Sequence, residues 1–456
     1  HAAACRAPDG RPMLLTRVED ALGITSRLLA LVPGEARADE PASLVPAWGW
    51  PSEEELRRFP RAPGVTPFQP VVAGDLVLLC WPSTRTPNGD GQRHLRAADD
   101  ELRDLVVLSL AGEGRLVDER GVDERSRPDG DVELERLSFC GPPLLRGDAV
   151  YVTLAGRSPN GGASELHVAR FDLARSGPEM RLRLRWRRHV VDGSPIPPSQ
   201  FSVSEWEYEP ELAFPTGLAE RLGLLYVGSN TGAVACLDTT DGAVVWLETY
   251  RRLGPSPRHA VAEARPTGWK YGPVHVEGGR VVVAPRDTER LLVFTARPMR
   301  SRAMRSAEIA VRGMGGAAEG GSPFGDLLVD ELVGVRDGRA LVSGSLPRTL
   351  AGAMHVPASP IVALDLAPGG STHLAEIPEL CSSGAPALLA DALLFPTFKA
   401  LYGVRLGAFQ ETPVELWRAE SASRSRRIPD RLGNIVVDGP HVWSVTPSRV
   451  VLFAPR

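Results

Sequence analysis

The chain has almost no lysine. Of its 52 basic residues only Lys270 and Lys399 are lysines, and 56 acidic residues outnumber them, for a formal net charge of −4. That balance excludes a general nucleic-acid binder, which needs a basic surface to displace counterions. Cysteine is scarce too. Cys5, Cys80, Cys140, Cys236 and Cys381 lie far apart, with no CxxC, no haem-type CxxCH and no adjacent pair. Such spacing speaks for isolated thiols used as small core residues, free within a monomer. No apolar run reaches the roughly 18 residues a membrane-spanning helix needs. The nine histidines show no metal-ligand spacing. Long helical patterns between strands are missing as well, which excludes a doubly wound α/β fold.

What is present is ordinary for a globular protein: 43% apolar and 24% charged residues over 456 positions, enough for a large core. The preference for Arg, Ala, Gly and Pro fits a GC-rich, bacterial genome. The first residue is His1 rather than Met, so a processed or excised product is expected.

The dominant signal is a repeat. An apolar strand, a Gly/Asp turn and a second apolar strand recur as "PVVAGDLVLLC" from Pro70, "PLLRGDAVYVTL" from Pro143 and "PTGLAERLGLLYVGS" from Pro215. They recur again as "PVHVEGGRVVVAP" from Pro273, "LVGVRDGRALVSG" from Leu332, "PALLADALLFPTF" from Pro386 and "IVVDGPHVWSV" from Ile435. These are seven hairpins. Each is followed by a third strand, at 104–110, 166–173, 232–238, 290–296, 360–366, 401–407 and 448–454. A fourth run ends in Trp186, Trp246 or Trp417. Four antiparallel strands in regular repetition predict an all-β, seven-bladed β-propeller of four-stranded blades, or eight blades, since the boundary near 115–139 is blurred. The unit averages about sixty residues, against about 40–45 in a WD40-like blade, so insertions are expected.

"ACLDTTDGAVVW" resembles the tryptophan-docking motif of PQQ-like (quinoprotein-type) β-propeller repeats. Cys236 takes the small position, Asp238 the Asp, Gly242 the turn glycine and Trp246 the Trp, while Asp241 replaces the usual Thr. The match is fair around Asp172 and Asp365 and weak elsewhere. Large bacterial proteins carrying such propellers are also similar. Asp238 is expected to accept backbone N–H groups in the turn, Gly242 to supply positive φ, and Trp246, Trp186 and Trp417 to pack as plates between blades.

Residues 43–456 are therefore read as the propeller and residues 1–42 as an N-terminal extension. The leucine spacing over 13–32 predicts a helix. Ser52 and Glu55 form a capping box for a short helix at 51–59. "SLVPAWGW" at 43–50 carries Trp48 and is expected to supply the closing strand of the last blade, pairing near 448–454.

Chain direction sorts the connections onto two sides. Turns between strands one and two and between three and four are short, whereas 82–103, 154–165, 191–212, 251–270, 297–328, 344–360 and 418–431 are long. Long connections commonly carry function. Those at 204–210 and 258–272 bring Trp206, Tyr208, His259, Trp269, Lys270 and Tyr271 together as a candidate binding face, with basic stretches at 297–305 and 423–431 beside it. The alternating "RLRLRWRRH" at 181–189 reads as an outermost strand whose charges guard it against edge pairing.

The resemblance implies enzymes that hold pyrroloquinoline quinone, Ca²⁺ and a catalytic Asp, often beneath a vicinal disulfide. No adjacent cysteines exist here, and no motif matches the metal ligands. The reading is thus a non-catalytic scaffold, without cofactor, that binds a protein partner or its own copies and works in the periplasm or outside the cell. A quinone- and Ca-dependent dehydrogenase and a sensor of glycans or small ligands are the alternatives.

Overall fold

A computed structural model describes residues 2–19, 26–34, 43–52, 69–82, 103–157, 164–176, 179–193, 217–229, 231–251, 273–285, 288, 290–296, 305–310, 328–345, 359–367, 372–377, 384–397, 400–408, 411–418, 432–446 and 450–453. The described chain is all-β apart from short 3-10 turns. Eight antiparallel sheets follow one another, at 2–50, 71–120, 138–193, 217–249, 274–310, 328–377, 387–418 and 434–453. Among the described residues the strands of every sheet are hydrogen-bonded in chain order, four each in the first seven and three in the eighth. These are the blades of a β-propeller, eight in number. All seven sequence-read hairpins are the first two strands of sheets two to eight.

The chain divides into two compact units, 1–255 with sheets one to four and 256–456 with sheets five to eight. Within each unit the core is a series of clusters, each between consecutive sheets. Sheet two shows how the sequence makes this happen. Val77, Leu79 and Trp81 of its second strand (Leu76–Pro82) pack against sheet one, while Leu76, Leu78 and Cys80 pack against sheet three. Successive side chains point to opposite faces, so a strand buried on both must be apolar at every position. The same arrangement joins sheets three and four, five and six, six and seven, and seven and eight.

The first sheet corrects the expectation for the N-terminal segment. Residues 13–32 are not helical where described: Pro12–Glu19 and Ser26–Pro33 are strands, paired Leu14↔Leu31 through Glu19↔Ser26. Nor are residues 1–42 an extension outside the propeller, because Ala2–Arg6 pairs with Pro12–Glu19 to open a complete sheet. Met13, Leu14 and Leu15 are all buried. A strand apolar on both faces loses its period-two signature and imitates the leucine spacing of a helix. Leu44–Trp50 is likewise not the closing strand of the last blade. It pairs with Ser26–Pro33, Leu28 opposite Trp50 and Ala30 opposite Trp48, as the fourth strand of sheet one. Of the helix read at 51–59, residues 53–59 lie outside the described residues.

Tight turns carry the glycines that the hairpins require. Gly74, Gly147, Gly278, Gly338 and Gly439 have φ between 53° and 74°, conformations that glycine adopts without steric cost. Cys80, Cys140 and Cys236 are free and buried and Cys5 is buried, whereas Cys381 lies outside the described residues. Burial pushes the Cys140 thiol up to about 11 and the Cys236 thiol to about 12, far from reactive thiolates. No helix among the described residues is long and apolar enough to cross a membrane.

Candidate functional site

The six residues of the candidate binding face, Trp206, Tyr208, His259, Trp269, Lys270 and Tyr271, lie outside the described residues. The structure instead places the docking residues and two polar clusters that sequence reading missed.

The turn of "LDTTDGAVVW" is built by its own side chains. Asp238 Oδ1 accepts from Thr240 N at 2.7 Å and Asp241 Oδ1 from Ala243 N at 2.8 Å, while Gly242 sits at φ 71°. Positive φ turns this backbone so that it presents a flat, Cβ-free surface. Trp186, on the fourth strand of sheet three (Glu179–Gly193), lies on that surface. A Cβ at position 242 would stand 2.6 Å from its Cε3, and Trp186 Nε1 donates to Thr239 O at 3.1 Å. Sheets one and two repeat the arrangement, since a Cβ at Gly114 (φ 81°) would meet Trp48 Cε3 at 2.5 Å. Trp246 is buried against Tyr226, ring centroids 6.2 Å apart, and Trp417 packs on Phe453 at 5.3 Å. Each of these four tryptophans is followed in the ladder by a β-bulge, which turns the fourth strand and aims the ring. The fold is a β-propeller in which sheets one and two, and sheets three and four, share this docking of tryptophan on a glycine turn.

Sheet two departs from it toward sheet three. Its fourth strand, Arg115–Arg120, has its bulge at the same place, but Asp118 stands where sheets one, three, four and seven have Trp. Around it a charged insert, 121–137, is wound into two 3-10 turns, Glu124–Ser126 and Val132–Glu135. Asp118 Oδ2 accepts from Leu182 N at 2.7 Å, and Arg127 donates to Asp118 Oδ1 at 2.7 Å. Arg120 is fully buried. It forks onto Glu124 (2.9 and 2.5 Å) and donates to Asp129 at 3.1 Å and to Leu182 O at 2.9 Å, with its guanidinium over the Phe171 ring. Asp129 also accepts from Leu184 N at 2.6 Å. Burial works against the charge on Asp129, but the Leu184 N–H and Arg120 outweigh it and hold the carboxyl below its usual range. Backbone groups of the outermost strand of sheet three are thus satisfied by side chains of sheet two and its insert. The insert borders a hollow of about 410 Å³, lined by Asp118, Glu119, Asp123, Ser126, Arg127 and Arg181.

A second cluster pins the insert to the other end of sheet three, where its strands enter the long connections. Arg187 donates from Nε to Asp131 at 2.6 Å and from Nη1 to His167 Nδ1 at 3.1 Å. A guanidinium only donates, so Nδ1 accepts and the proton sits on Nε2, which donates to Glu165 at 3.2 Å. Arg136 donates to Glu165 at 3.0 Å and to Glu133 at 2.5 Å, and Asp131 accepts from Glu133 N at 3.0 Å. The hydrogen bonds close into a ring of six residues. His167 is neutral here: burial lowers its pKa first, the bond to Glu165 opposes, and Arg187 and His189 lower it further. His189 lies edge-on to His167 with centroids 5.0 Å apart. Every charge in the ring is matched by a partner, which suits a clasp. Among the described residues no group of three or more His, Cys, Asp or Glu side chains is gathered to hold a metal ion.

No protein-family model matches the chain, and no curated protein matches it. Among solved structures the chain is similar to BamB from Moraxella catarrhalis, at 15% identity and a TM-score of 0.44 over 96% of this chain and 95% of that one. It is also similar to quinohemoprotein alcohol dehydrogenase from Comamonas testosteroni, at 12% identity and 0.46 over 95% and 68% of the two chains. Sqt1 from Saccharomyces cerevisiae is similar at 8% identity and 0.49 over 99% and 94%.

Proposed function

We propose that the chain is a non-catalytic binding and assembly scaffold, which holds a protein partner or further copies of itself on its long-connection side. One observation carries this reading. The turns between first and second strands are two residues long in six of the eight sheets, as at 147–148 and 337–338, whereas second and third strands are separated by 83–102 in sheet two and 346–358 in sheet six. Two-residue turns serve pairing alone, and connections of more than about a dozen residues on a rigid sheet scaffold are where binding is commonly built. The aromatic residues Trp206, Tyr208, Trp269 and Tyr271 belong to such connections and offer rigid contact area at low entropic cost. An extracytoplasmic site of action, periplasmic or extracellular, is part of the proposal on the strength of the family resemblance.

The near-absence of lysine supplies the test. Lys270 and Lys399 both fall in connections of the long side, so an amine-reactive cross-linker samples that side and the chain's own amino terminus. Whatever copurifies with the native protein should cross-link through Lys270 or Lys399, and alanine at Trp206 and Trp269 should weaken capture at least tenfold. Partner cross-links found only through the carboxylates of the short turns, such as Asp148 and Asp337, would refute the assignment. Light scattering against concentration distinguishes a partner from a second copy.

A further inference from the structure

The ring that pins the insert to sheet three contains one group able to change its charge near neutral pH. His167 Nδ1 accepts from Arg187 Nη1 at 3.1 Å, and its Nε2 donates to Glu165 at 3.2 Å. The first bond exists only while the imidazole is neutral, because a proton on Nδ1 would face the arginine N–H across that distance. The neighbouring links are not conditional in this way. Burial works against the charge on Asp131 and Glu165, but Arg187 holds Asp131, and His167 and Arg136 hold Glu165, below the usual carboxylate range. One link of the ring therefore answers to mild acid and the others do not.

That link lies at the root of a long connection. The outer strand of sheet three, Glu179–Gly193, ends where the 194–216 connection begins, and this connection carries Trp206 and Tyr208. His167 faces charged groups from three elements. Glu165 is on its own strand; Arg187 and His189 are on the outer strand, with Asp192 bonded to His189 at 2.8 Å; Asp131, Glu133 and Arg136 of the insert close the ring. The second strand of the sheet places only Leu154 opposite it. Burial opposes a proton on His167 most, Arg187 and His189 add to this, and Glu165 favours it, so the folded ring takes the proton up only below the ordinary histidine value of 6.5. The Arg187 bond thus contributes fully above about pH 6.5 and is lost as pH falls through the lower folded value.

We propose that the ring is an acid-operated latch: at neutral pH it pins the insert and the root of the 194–216 connection to sheet three, and a proton on His167 releases them. Protonation breaks the Arg187–His167 bond and sets two cations against each other, so the proton is taken up with the insert lifted away and the imidazole solvated. An ordinary imidazole in the open form, against an unprotonated one in the closed form, favours opening by about 30-fold between pH 7.5 and pH 5. Binding through Trp206 and Tyr208 then weakens in acid. That consequence rests on the scaffold reading, whereas the latch itself is measured without a partner, so either can fail alone.

The test is hydrogen exchange on the intact protein at pH 7.5 and pH 5, each rate divided by the intrinsic rate of that amide. The amides of Glu133, Leu134 and Arg136, all bonded within the insert, should lose about five- to 30-fold of their protection in acid. The amide of Leu184, held by Asp129 in the other cluster, should change less than about twofold. His167→Gln keeps an acceptor and a donor but takes no proton, and should hold the pH 7.5 protection at both values. In the parent protein labelled with ¹⁵N-histidine, His167 should show a bare Nδ1 at pH 7.5 and titrate with the same midpoint as the insert amides. Equal protection at the two pH values, a response that persists in His167→Gln, a loss shared by Leu184, or unequal midpoints would each overturn the proposal. Should His167→Gln lack protection already at pH 7.5, the comparison of midpoints decides by itself.

Discussion

Replacing Gly242 by alanine isolates what holds sheet three to sheet four. Two costs arise. The backbone at φ 71° lies in the left-handed region, where a Cβ costs about 1–2 kcal/mol. The new Cβ would also stand 2.6 Å from Trp186, and overpacking of this kind costs about 1–3 kcal/mol. Gly242→Ala should therefore lose about 2–5 kcal/mol. Gly147→Ala measures the first cost by itself, because Gly147 has φ 57° and nothing within 4 Å of its Cβ position; about 1–2 kcal/mol is expected there.

Trp186→Ala should cost about 2–3 kcal/mol, less than the about 3–5 of a fully buried tryptophan, because the ring is half-buried. With that ring gone the clash has no partner, and Gly242→Ala should revert to the backbone cost alone. The double variant should then fall short of the sum of the singles by about 1–3 kcal/mol. Native-state hydrogen exchange at the amides of Ala233–Asp238 reads these energies locally, without requiring the whole chain to unfold in one step. Additive costs, within about 0.5 kcal/mol, would show that Trp186 does not dock on the turn.

The buried charges offer a second perturbation. Arg120→Met strands Glu124, whose side chain is fully buried, and should cost about 3–5 kcal/mol, while Arg120→Met with Glu124→Leu should recover most of it; equal melting points for the two would refute the pairing. His275 is held neutral by burial, its pKa lowered to about 4. The unfolded chain takes up that proton near pH 6.5, the folded chain only near 4, so this contribution is complete above about pH 6.5 and is lost as pH falls toward 4. His275→Leu should flatten the fall in melting temperature between pH 7 and 5, and an unchanged slope would contradict the burial. Removing residues 1–40 takes away three strands of sheet one and leaves Leu44–Trp50 without its neighbour, so it should harm soluble yield as much as removing 1–50; a markedly milder effect would mean that this strand pairs elsewhere.

The legible part of the fold was the part with alternation and turn chemistry in step. "PLLRGDAVYVTL" has apolar strands on both sides of a Gly-Asp pair, and Gly147 takes the positive φ that the pair announces. Sheet one hid because its first two strands meet at "APDG" and then run through Met13, Leu14 and Leu15, apolar on both faces. The turn was there to be read: Gly10 has φ 84° and donates to Ala7 O at 2.8 Å. The polar clusters were illegible for a different reason. Arg120 and Glu124 sit in the stretch whose blade boundary is blurred and His167 within an apolar third strand, and the cluster depends on the insert folding back on a strand some 60 residues away, a contact with no local signature.

The two ways of finishing a blade bear on function. Where sheet two lacks its tryptophan, Asp118 does not leave the neighbouring strand unattended: it and Asp129 take the N–H groups of Leu182 and Leu184, and Arg120 takes the carbonyl of Leu182. The 15-residue outer strand of sheet three is thereby denied to a pairing stranger, and its exposed arginines add a charge barrier. Blocking an edge in this way takes three buried ionic groups and a 17-residue insert, counted over 121–137. A block this costly at the outer strand of sheet three marks that edge as one that must stay unpaired.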